Sequence, residues 1–248
     1  MLMAAYREFA RYYDAVNGDP VETSLKILSH IGRYRPQADS VLELGCGTGA
    51  VLAGLGSGLR LTGVDLSPEM LEIAARRCPD AHLHLDDMTT FTLPEQFDVV
   101  LCVFDTLNHV HTFDGWLAMF ERVATHLVDG GLFIFDINTV GRFQRLAEMA
   151  PWVHDFEGHT LIMNVEFDDG VHSEWDIRVF EHRDNKNFVL HHEVIVELGV
   201  TLQQVRKKLD HDFEPLEETD RSGAVPTDDS DRAYFVYQRR ARATAPHS

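Results

Sequence analysis

The chain has 248 residues, a length that suits one α/β domain with an elaboration or two small domains. Its hydrophobic content of 44% predicts a globular protein rather than a disordered one. No apolar run is long enough to predict a membrane span, and the N-terminus does not have the pattern of a secretory signal. The formal net charge of −18 would repel phosphate backbones and disfavours a nucleic-acid substrate.

Two cap helices are predicted ahead of the first strand, within residues 1–35. The segment from Tyr6 to Asn17 has the pattern of a short amphipathic helix. Asp19 and Pro20 predict the N-cap and the first position of a longer helix. An apolar stripe of this helix is expected to face the core, and it consists of Val21, Leu25 and Leu28, with Ile27 and Ile31 beside it.

A short apolar strand that leads into three glycines organises the rest of the sequence. The run Val41–Leu44 predicts a buried parallel strand, and a helix is predicted to begin near Ala50. Between them, Gly45, Gly47 and Gly49 allow positive φ angles and a close approach of the backbone to a ligand. The first N–H groups of the helix would point toward that ligand.

The glycine spacing by itself leaves more than one cofactor class open. Gly45, Gly47 and Ala50 also fit the dinucleotide-binding pattern, and Asp65 lies at the spacing at which that pattern places an acidic residue. A turn without any ligand is a further alternative. It is disfavoured because three glycines at a strand–helix junction weaken packing without a structural gain.

Alternating strands and helices continue after the loop and predict a doubly wound, mostly parallel sheet. Strands are predicted at residues 59–65, 82–85, 97–104 and 132–136, and helices are predicted to begin at Ser67 and Asp114. Ligands of such sheets bind beyond the carboxyl ends of the strands. The glycine loop, Asp65, Asp87 and residues 105–109 are therefore expected along one rim.

From about Trp152 the apolar pattern changes to period two, which predicts an antiparallel insert over residues 151–197. Its buried face is expected to contain Leu161, Met163, Val165, Trp175, Ile177 and Val179, followed by Phe188, Leu190, Val194 and Val196. Two closing strands near residues 213–216 and 233–237 would complete seven strands. Residues 198–240 thus rejoin residues 1–150 in one cofactor-binding domain, and residues 241–248 are predicted to be a disordered tail.

A helix is predicted ahead of the closing strands, because Thr201 with Gln204 fits a capping box before an apolar pattern.

Three cysteines, Cys46, Cys78 and Cys102, have no motif spacing, which favours a reduced cytoplasmic protein. The histidines show no metal-binding spacing, so no metal is expected.

The segment Glu43–Gly49, together with the acidic residues after the second and third strands, resembles motif I and its partners in class I S-adenosylmethionine-dependent methyltransferases. The antiparallel insert is similar to the lid of small-molecule N-methyltransferases, including aminosugar N-methyltransferases. The resemblance implies a Rossmann-like methyltransferase fold, S-adenosyl-L-methionine as cofactor, and N- or O-methylation of a small-molecule acceptor. A homodimer that pairs through the insert is an accompanying expectation.

The resemblance also implies a set of cofactor-binding residues, which are Tyr13, Gly45, Cys46, Gly47, Asp65, Leu66, Asp87, Met88 and Phe104. It places Asp65 on the ribose hydroxyls, and Asp87 with Met88 on the adenine. Asp86 stands where the family usually has glycine. Other roles stay open, since Asp65 could cap a strand end and Phe104 or Tyr13 could simply pack.

The catalytic candidates follow the fourth strand and are Asp105, Asn108, His109 and His111. Methyl transfer depends mainly on orientation, and a base is needed only if the acceptor is protonated. His109 is the predicted base, and Asn108 is predicted to orient the acceptor. The alternative is a polar turn that caps the next helix. His191 and Glu193 of the insert could also line a pocket.

Two other functions stay in competition with methyl transfer. The first is a cofactor-binding regulatory or scaffold protein without turnover, since a methyltransferase has no obligatory catalytic residue whose loss would reveal it. The second is an NAD-dependent dehydrogenase, which is disfavoured because no Tyr-x-x-x-Lys set follows the sheet.

Overall fold

A computed structural model gives the fold of the chain and describes residues 6, 8–184 and 186–241. Its strands are β1 Ser40–Leu44, β2 Arg60–Asp65, β3 His82–Leu85, β4 Phe97–Cys102, β5 Leu127–Asn138, β6 Trp152–Phe156, β7 His159–Glu166, β8 His172–His182, β9 Phe188–Leu198, β10 Phe213–Thr219 and β11 Arg232–Arg239. Its α-helices are α1 Tyr13–Asn17, α2 Val21–Tyr34, α3 Ala50–Leu55, α4 Pro68–Arg77, α5 Phe113–His126, α6 Val140–Ala147 and α7 Leu202–Leu209. Short 3-10 helices cover Ala10–Tyr12 and Thr106–His109.

The main sheet has seven strands in the order β10-β11-β5-β4-β1-β2-β3. Strands β1 to β5 pair in parallel, and only β11 runs against its neighbours, between β5 and β10. This arrangement confirms the predicted doubly wound, mostly parallel seven-stranded sheet. The strand order reverses at β1, which pairs with β2 on one side and β4 on the other, so a crevice opens at the carboxyl ends of these strands.

Helices cover the sheet on both faces. Successive residues of a strand point to opposite faces, so neighbouring side chains of one strand pack against different helices. Leu42 of β1 belongs to the apolar cluster that contains Trp116 of α5. Its neighbour Val41 packs in a second cluster with Ile27 of α2. Both strand residues are fully buried, which explains why β1 has consecutive apolar residues at Val41 and Leu42 rather than an alternating pattern.

The second sheet is an antiparallel insert of four strands in the order β6-β7-β8-β9. One face of it packs against the N-terminal segment and α6, through a cluster whose members include Phe9, Tyr12, Phe143, Leu161 and Val179. The insert and the N-terminal segment therefore form one cover over the carboxyl ends of the parallel strands.

The last strand of the insert differs from the prediction. Phe188, Leu190 and Val194 are 55%, 50% and 50% exposed, although they were expected on the buried face. The reason is the register of the hairpin, which pairs Ile177 with Glu193 and places the odd-numbered residues of β9 on the inward face. Sequence alternation predicts that one face is buried but does not say which.

The longer N-terminal helix, α2, also differs from the prediction. It begins at Val21, its N-cap is Pro20 rather than Asp19, and that N-cap makes no side-chain hydrogen bond. Ile27 is buried, whereas Val21 and Leu25 of the expected apolar stripe are more than half exposed. The helix is thus rotated so that Ser24, Ile27 and Ile31 are its buried residues, with Ser24 against α3.

Several local predictions are confirmed. Ser67 caps α4 by accepting a hydrogen bond from the N–H of Met70, with Pro68 in the first turn. Thr201 and Gln204 form the predicted capping box of α7.

Helix α6 has no counterpart among the predicted elements. Among the described residues no helix is long and apolar enough to cross a bilayer. The predicted tail lies outside the described residues, apart from residue 241.

Candidate functional site

A cavity of about 510 Å³ lies at the carboxyl ends of β1 to β4, within the size range of small-molecule sites. The glycine loop and the ends of β2 and β3 form one side of it. The N-terminal tyrosines, the 3-10 helix after β4 and strand β9 of the insert form the other. The cavity is thus shared between the parallel sheet and its cover.

The glycine loop brings bare backbone to this cavity. Gly45 and Gly47 both have positive φ, at +66° and +52°. A Cβ on Gly45 would lie 2.1 Å from Cγ2 of Thr106, so only glycine fits there. A Cβ on Gly47 would meet no atom within 4 Å and would instead occupy the open space beside the cavity. A ligand can therefore approach this backbone closely, as the predicted cofactor would require.

Asp65 ends β2 and holds the glycine loop in place. Its two carboxylate oxygens accept the backbone N–H groups of Gly47 and Ser67, each at 2.8 Å. Burial raises the pKa of Asp65, and these backbone donors oppose that rise. A carboxylate at a strand end that lines a cavity suits a vicinal diol, because it can accept two further O–H bonds.

Asp87 and Met88 follow β3 at the far side of the cavity. Both hydrogen bonds recorded for the Asp87 carboxylate go to Oδ1, which accepts the N–H and the O–H of Thr89. Met88 is half-buried against the main core. Asp86 lies outside the left-handed φ region among the described residues, so this position needs no glycine.

The chain turns sharply after β4 through two consecutive left-handed residues. Phe104 and Asp105 have φ angles of +60° and +51°, which are unfavourable for residues with a Cβ. The turn is held by the buried Asp136 of β5, whose carboxylate accepts both backbone N–H groups at 2.9 and 2.8 Å. This turn directs Thr106 and His109 toward the cavity.

A buried guanidinium supports the same turn from behind. Arg232 of β11 donates to Asp136 at 3.1 Å and to Asp105 at 2.5 Å. Asn138 donates to Asp105 and to Glu197 of β9, each at 2.9 Å, and so connects the turn to the insert. Burial raises the pKa of Glu197 well above its usual value.

Three side chains near this network, Asp105, His109 and Glu197, bring potential metal-ligating atoms within 4.8 Å of one another. Asp105 is already paired with Arg232, and both carboxylates accept hydrogen bonds from Asn138. A divalent cation would have to displace a buried guanidinium. The ion pair and its hydrogen bonds account for the cluster.

His109 lines the cavity at the end of the 3-10 helix. Its Nε2 lies 3.1 Å from the hydroxyl of Tyr6, and the two rings meet edge to face. Its Nδ1 is buried and has no hydrogen-bond partner among the described residues. Burial lowers the pKa of His109, although the Asp105 carboxylate opposes this, so the imidazole is neutral at pH 7 and able to accept a proton.

The N-terminal cover is fastened to the glycine loop by Asp14. This carboxylate accepts the hydroxyl of Thr48 at 2.7 Å and pairs with Arg77 of α4 at 2.6 Å. Arg77 also donates to the Thr48 hydroxyl. The preceding residue, Tyr13, lines the cavity. One small network thus connects the cover, the loop and a core helix.

Most of the sequence-predicted site residues meet at this cavity. Those that line it are Tyr13, Gly45, Gly47, Asp65, Leu66, Asp87, Met88, Phe104, His109, His111 and Glu193. Cys46 does not line it. Its side chain is 5% exposed and packs with Leu52 and Cys78 on the far side of the loop.

Asn108 requires a correction. Its side chain is fully buried, donates to the carbonyls of Asn138 and Leu198, and accepts the N–H of Asn138. Its amide joins backbone groups of β5 and β9 and does not line the cavity, which contradicts the predicted role in orienting an acceptor. His191 likewise points away from the cavity and pairs with Glu181 at 2.8 Å.

Several lining residues had not been predicted to belong to the site. They include Ser67, Met70, Val110, His192 and residues 194–196. Thr106 also lines the cavity, within the range 105–109 that was expected at the rim. The positions of His192 and residues 194–196 at the cavity depend on how the insert docks, which no local sequence pattern specifies.

The family comparison agrees with this geometry. A methyltransferase domain model matches residues 41–131. A dTDP-3-amino-3,6-dideoxy-alpha-D-glucopyranose N,N-dimethyltransferase of Streptomyces fradiae is 34% identical over 134 residues, which is 52% of this chain and 52% of that protein. The match thus spans about half the length of the first curated relatives.

Solved structures match over nearly the whole chain. An S-adenosylmethionine-dependent methyltransferase from Clostridium acetobutylicum ATCC 824 superimposes with a TM-score of 0.84 and 24% identity, covering 95% of this chain and 99% of that one. The sugar N-methyltransferase KedS8 from Streptoalloteichus sp ATCC 53650 gives a TM-score of 0.77 and 25% identity, with 97% and 95% coverage. The motif and the methyltransferase domain match are thus similar to those of S-adenosylmethionine-dependent methyltransferases, and the strand order and structural matches show that the chain has the fold of these enzymes.

Proposed function

We propose that the protein is an enzyme that transfers a methyl group from S-adenosyl-L-methionine to the nitrogen of a small-molecule amine. The observation that supports this most directly is the cavity itself. It joins the glycine loop, Asp65 and Asp87 on one side to Tyr6, His109 and Glu193 on the other. A cofactor end and an acceptor end thus face each other in one space.

At the cofactor end, the backbone at Gly45 and Gly47 would approach the methionine portion, and Asp65 would accept the ribose hydroxyls. Asp87 would accept from the adenine amine, with Met88 against the ring and Leu66 nearby. When bound, the cofactor supplies an electrophilic methyl group on a sulfonium. Tyr13 and Phe104 would exclude water beside it.

At the acceptor end, an amine that arrives protonated must lose its proton before it can attack. The Tyr6 hydroxyl and His109 Nε2, 3.1 Å apart, provide two groups through which that proton can leave. His109 is neutral at pH 7 because burial lowers its pKa, and the Asp105 carboxylate, which opposes that shift, would stabilise the imidazolium once the proton is received. The remaining rate enhancement would come from orientation, for which roughly 7–11 kcal/mol is available to well-placed reactants.

Nitrogen is favoured over oxygen as the methylated atom because the named relatives with this fold are N-methyltransferases acting on amino sugars or sugars. The chain would act on such a small acceptor and not on nucleic acid or a membrane, in keeping with its net charge of −18. The cytoplasm suits its three buried, unpaired cysteines.

A homodimer is the proposed assembly. The face of the insert sheet opposite to Leu161 and Val179 exposes Val153, Phe188 and Leu190, which the β6–β9 register places on one side. Exposed apolar side chains that share a face are typical of protein contacts. Sedimentation should give twice the mass of one chain, and Leu190→Lys should return it to that of a monomer.

The deciding experiment for the activity combines binding and turnover. Calorimetry with S-adenosyl-L-homocysteine should give a micromolar dissociation constant, and labelled S-adenosylmethionine should transfer its methyl group to a member of an amine panel. Binding without any transfer would favour the regulatory alternative. Binding of NAD in place of both adenosyl ligands would refute the cofactor assignment.

A further inference from the structure

Strand β9 is the last strand of the insert sheet and borders the cavity along its free edge. The strand order ends at β9, which pairs only with β8 among the described residues. Residues 192–196 all line the cavity, although successive side chains of a strand point to opposite faces. This unbroken run of lining residues means that the edge of the strand, with its backbone groups, faces the cavity.

Two backbone hydrogen bonds identify the residues of β9 whose N–H and C=O groups lie on that edge. Arg183 donates to the carbonyl of Asn187 at 3.0 Å, and Gly199 donates to the carbonyl of Val171 at 2.7 Å. Both bonds continue the register of the β8–β9 hairpin, which has no shift along its length. Bonded and unbonded pairs alternate in an antiparallel ladder. The odd-numbered residues of β9 therefore bond to β8, and the even-numbered ones direct their backbone groups outward.

The outward groups nearest the 3-10 helix already have partners. The carbonyl of Leu198 accepts the side-chain amide of Asn108 at 2.9 Å. Burial lowers the pKa of His109 and of His111, and the carbonyl of Val196 is among the groups that oppose this fall in both. The even-numbered carbonyls of β9 thus project away from β8 and bind donors from the segment that follows β4.

The outward backbone groups of His192 and Val194 have no such partners in the part of the chain that the structure describes. The side chains of both residues lie on the outer face of the insert, where His192 pairs with Asp176 at 3.3 Å and Val194 is 50% exposed. At the cavity these residues thus present backbone. Val194 lies two residues from Val196 along the strand, a distance of about 6.6–6.8 Å from the carbonyl that faces His109.

We propose that the open edge of β9 at Val194 binds the methyl acceptor, and that this acceptor is an amine with a hydroxyl group about 6–7 Å from its nitrogen; this inference rests on the proposed function. With the amine beside His109, a hydroxyl at that distance reaches the backbone of Val194. It accepts from the N–H and donates to the C=O, because one hydroxyl is both donor and acceptor. A hydrocarbon at the same place would leave both backbone groups unpaired.

A pair of cyclic amines tests the inference. In trans-4-aminocyclohexanol the hydroxyl lies across the ring from the nitrogen, and cyclohexylamine lacks this hydroxyl. With labelled S-adenosylmethionine, kcat/KM should favour the hydroxylated amine about tenfold, which is the effect expected of its hydrogen bonds. Calorimetry on protein saturated with S-adenosyl-L-homocysteine should give the same preference in dissociation constants. Equal values for the two amines, or binding of neither, would overturn the inference.

Proline substitutions test whether the backbone is responsible. Val194→Pro removes an outward N–H, a change that an edge strand tolerates, so the preference for trans-4-aminocyclohexanol should fall at least about threefold in a folded enzyme. Val194→Ala keeps the N–H and should keep that preference. Ile195→Pro removes an N–H that bonds to β8, so it should unfold at a lower urea concentration than Val194→Pro. An undiminished preference in Val194→Pro, or equal urea midpoints for the two proline variants, would refute the assignment of the edge.

Failure of this inference differs from failure of the proposed function. Methyl transfer to other amines, without a preference between the two cyclic amines, would overturn only the role of β9. Absence of S-adenosyl-L-homocysteine binding, or of transfer to every amine of the panel, would instead refute the proposed function.

Discussion

The sharp turn after β4 depends on one carboxylate, and Asp136→Asn tests that dependence. Asp136 accepts the N–H groups of Phe104 and Asp105 and a hydrogen bond from Arg232. An asparagine has one oxygen, so its NH₂ group must face one of these donors. At least one buried N–H is then left without an acceptor.

The expected loss of stability follows from these bonds. An unsatisfied buried donor costs about 1–3 kcal/mol, and a hydrogen bond to a charged group contributes about 1.5–3 kcal/mol. Burial raises the pKa of Asp136, so neutralising the side chain returns part of this cost. We expect the free energy of unfolding to fall by about 2–4 kcal/mol, which is a large part of the roughly 5–15 kcal/mol of a typical domain.

The assay is urea unfolding followed by circular dichroism, together with calorimetry of S-adenosyl-L-homocysteine. Asp98→Asn is the matched control, because Asp98 also accepts several hydrogen bonds, from Arg35, Asp39 and Ser40, at the opposite edge of the sheet. Both variants should be less stable, but only Asp136→Asn should weaken ligand binding. A stability loss under about 0.5 kcal/mol, or equal affinity losses in both variants, would refute the reasoning about the turn.

Three further outcomes are expected at the cavity. Asp65→Ala should weaken S-adenosyl-L-homocysteine binding by about 1.5–3 kcal/mol in calorimetry, and a folded variant with unchanged affinity would contradict a ribose contact. His109→Asn should lower kcat roughly 10²–10⁴-fold. In the parent, kcat should fall below pH about 6.5, where the imidazole takes up a proton and stops acting as a base, and the variant should lack this fall. A variant with kcat within threefold of the parent would exclude that role. Gly45→Ala should lower the melting temperature because its methyl group meets Thr106 at 2.1 Å. Gly47→Ala should mainly weaken ligand binding. If Gly47→Ala instead had the larger effect on melting temperature and Gly45→Ala the larger effect on affinity, the ligand would not bind beside Gly47.

The side of the cavity that is proposed to hold the cofactor was predictable as a meeting point, because its residues belong to short contiguous motifs. Gly45, Asp65 and Asp87 each follow a parallel strand, and the carboxyl ends of parallel strands share one edge of the sheet. Once strands were assigned, the meeting of these residues followed from topology alone.

The acceptor end was much less predictable because it depends on packing between distant segments. Glu193 comes beside the 3-10 helix only through the docking of the insert, which no local pattern specifies. Asn108 was assigned to the acceptor because it is polar and near the rim, yet burial turned its amide toward two backbone carbonyls. Helix α6 was missed, although Thr139 caps it by accepting the N–H of Arg142.

The fastening at Asp14 contributes little to keeping the N-terminal cover closed. The ion pair between Asp14 and Arg77 is about one-third exposed on both sides, at 34% and 32%, and ion pairs of this kind contribute only about 0–1 kcal/mol. Phe9 and Tyr12 of the same segment are buried against the insert, so apolar contacts supply most of the cost of lifting the cover. Salt screens charges and not apolar contacts, so closure of the cover should change only slightly with ionic strength, and the N-terminal segment and the insert should move as one unit.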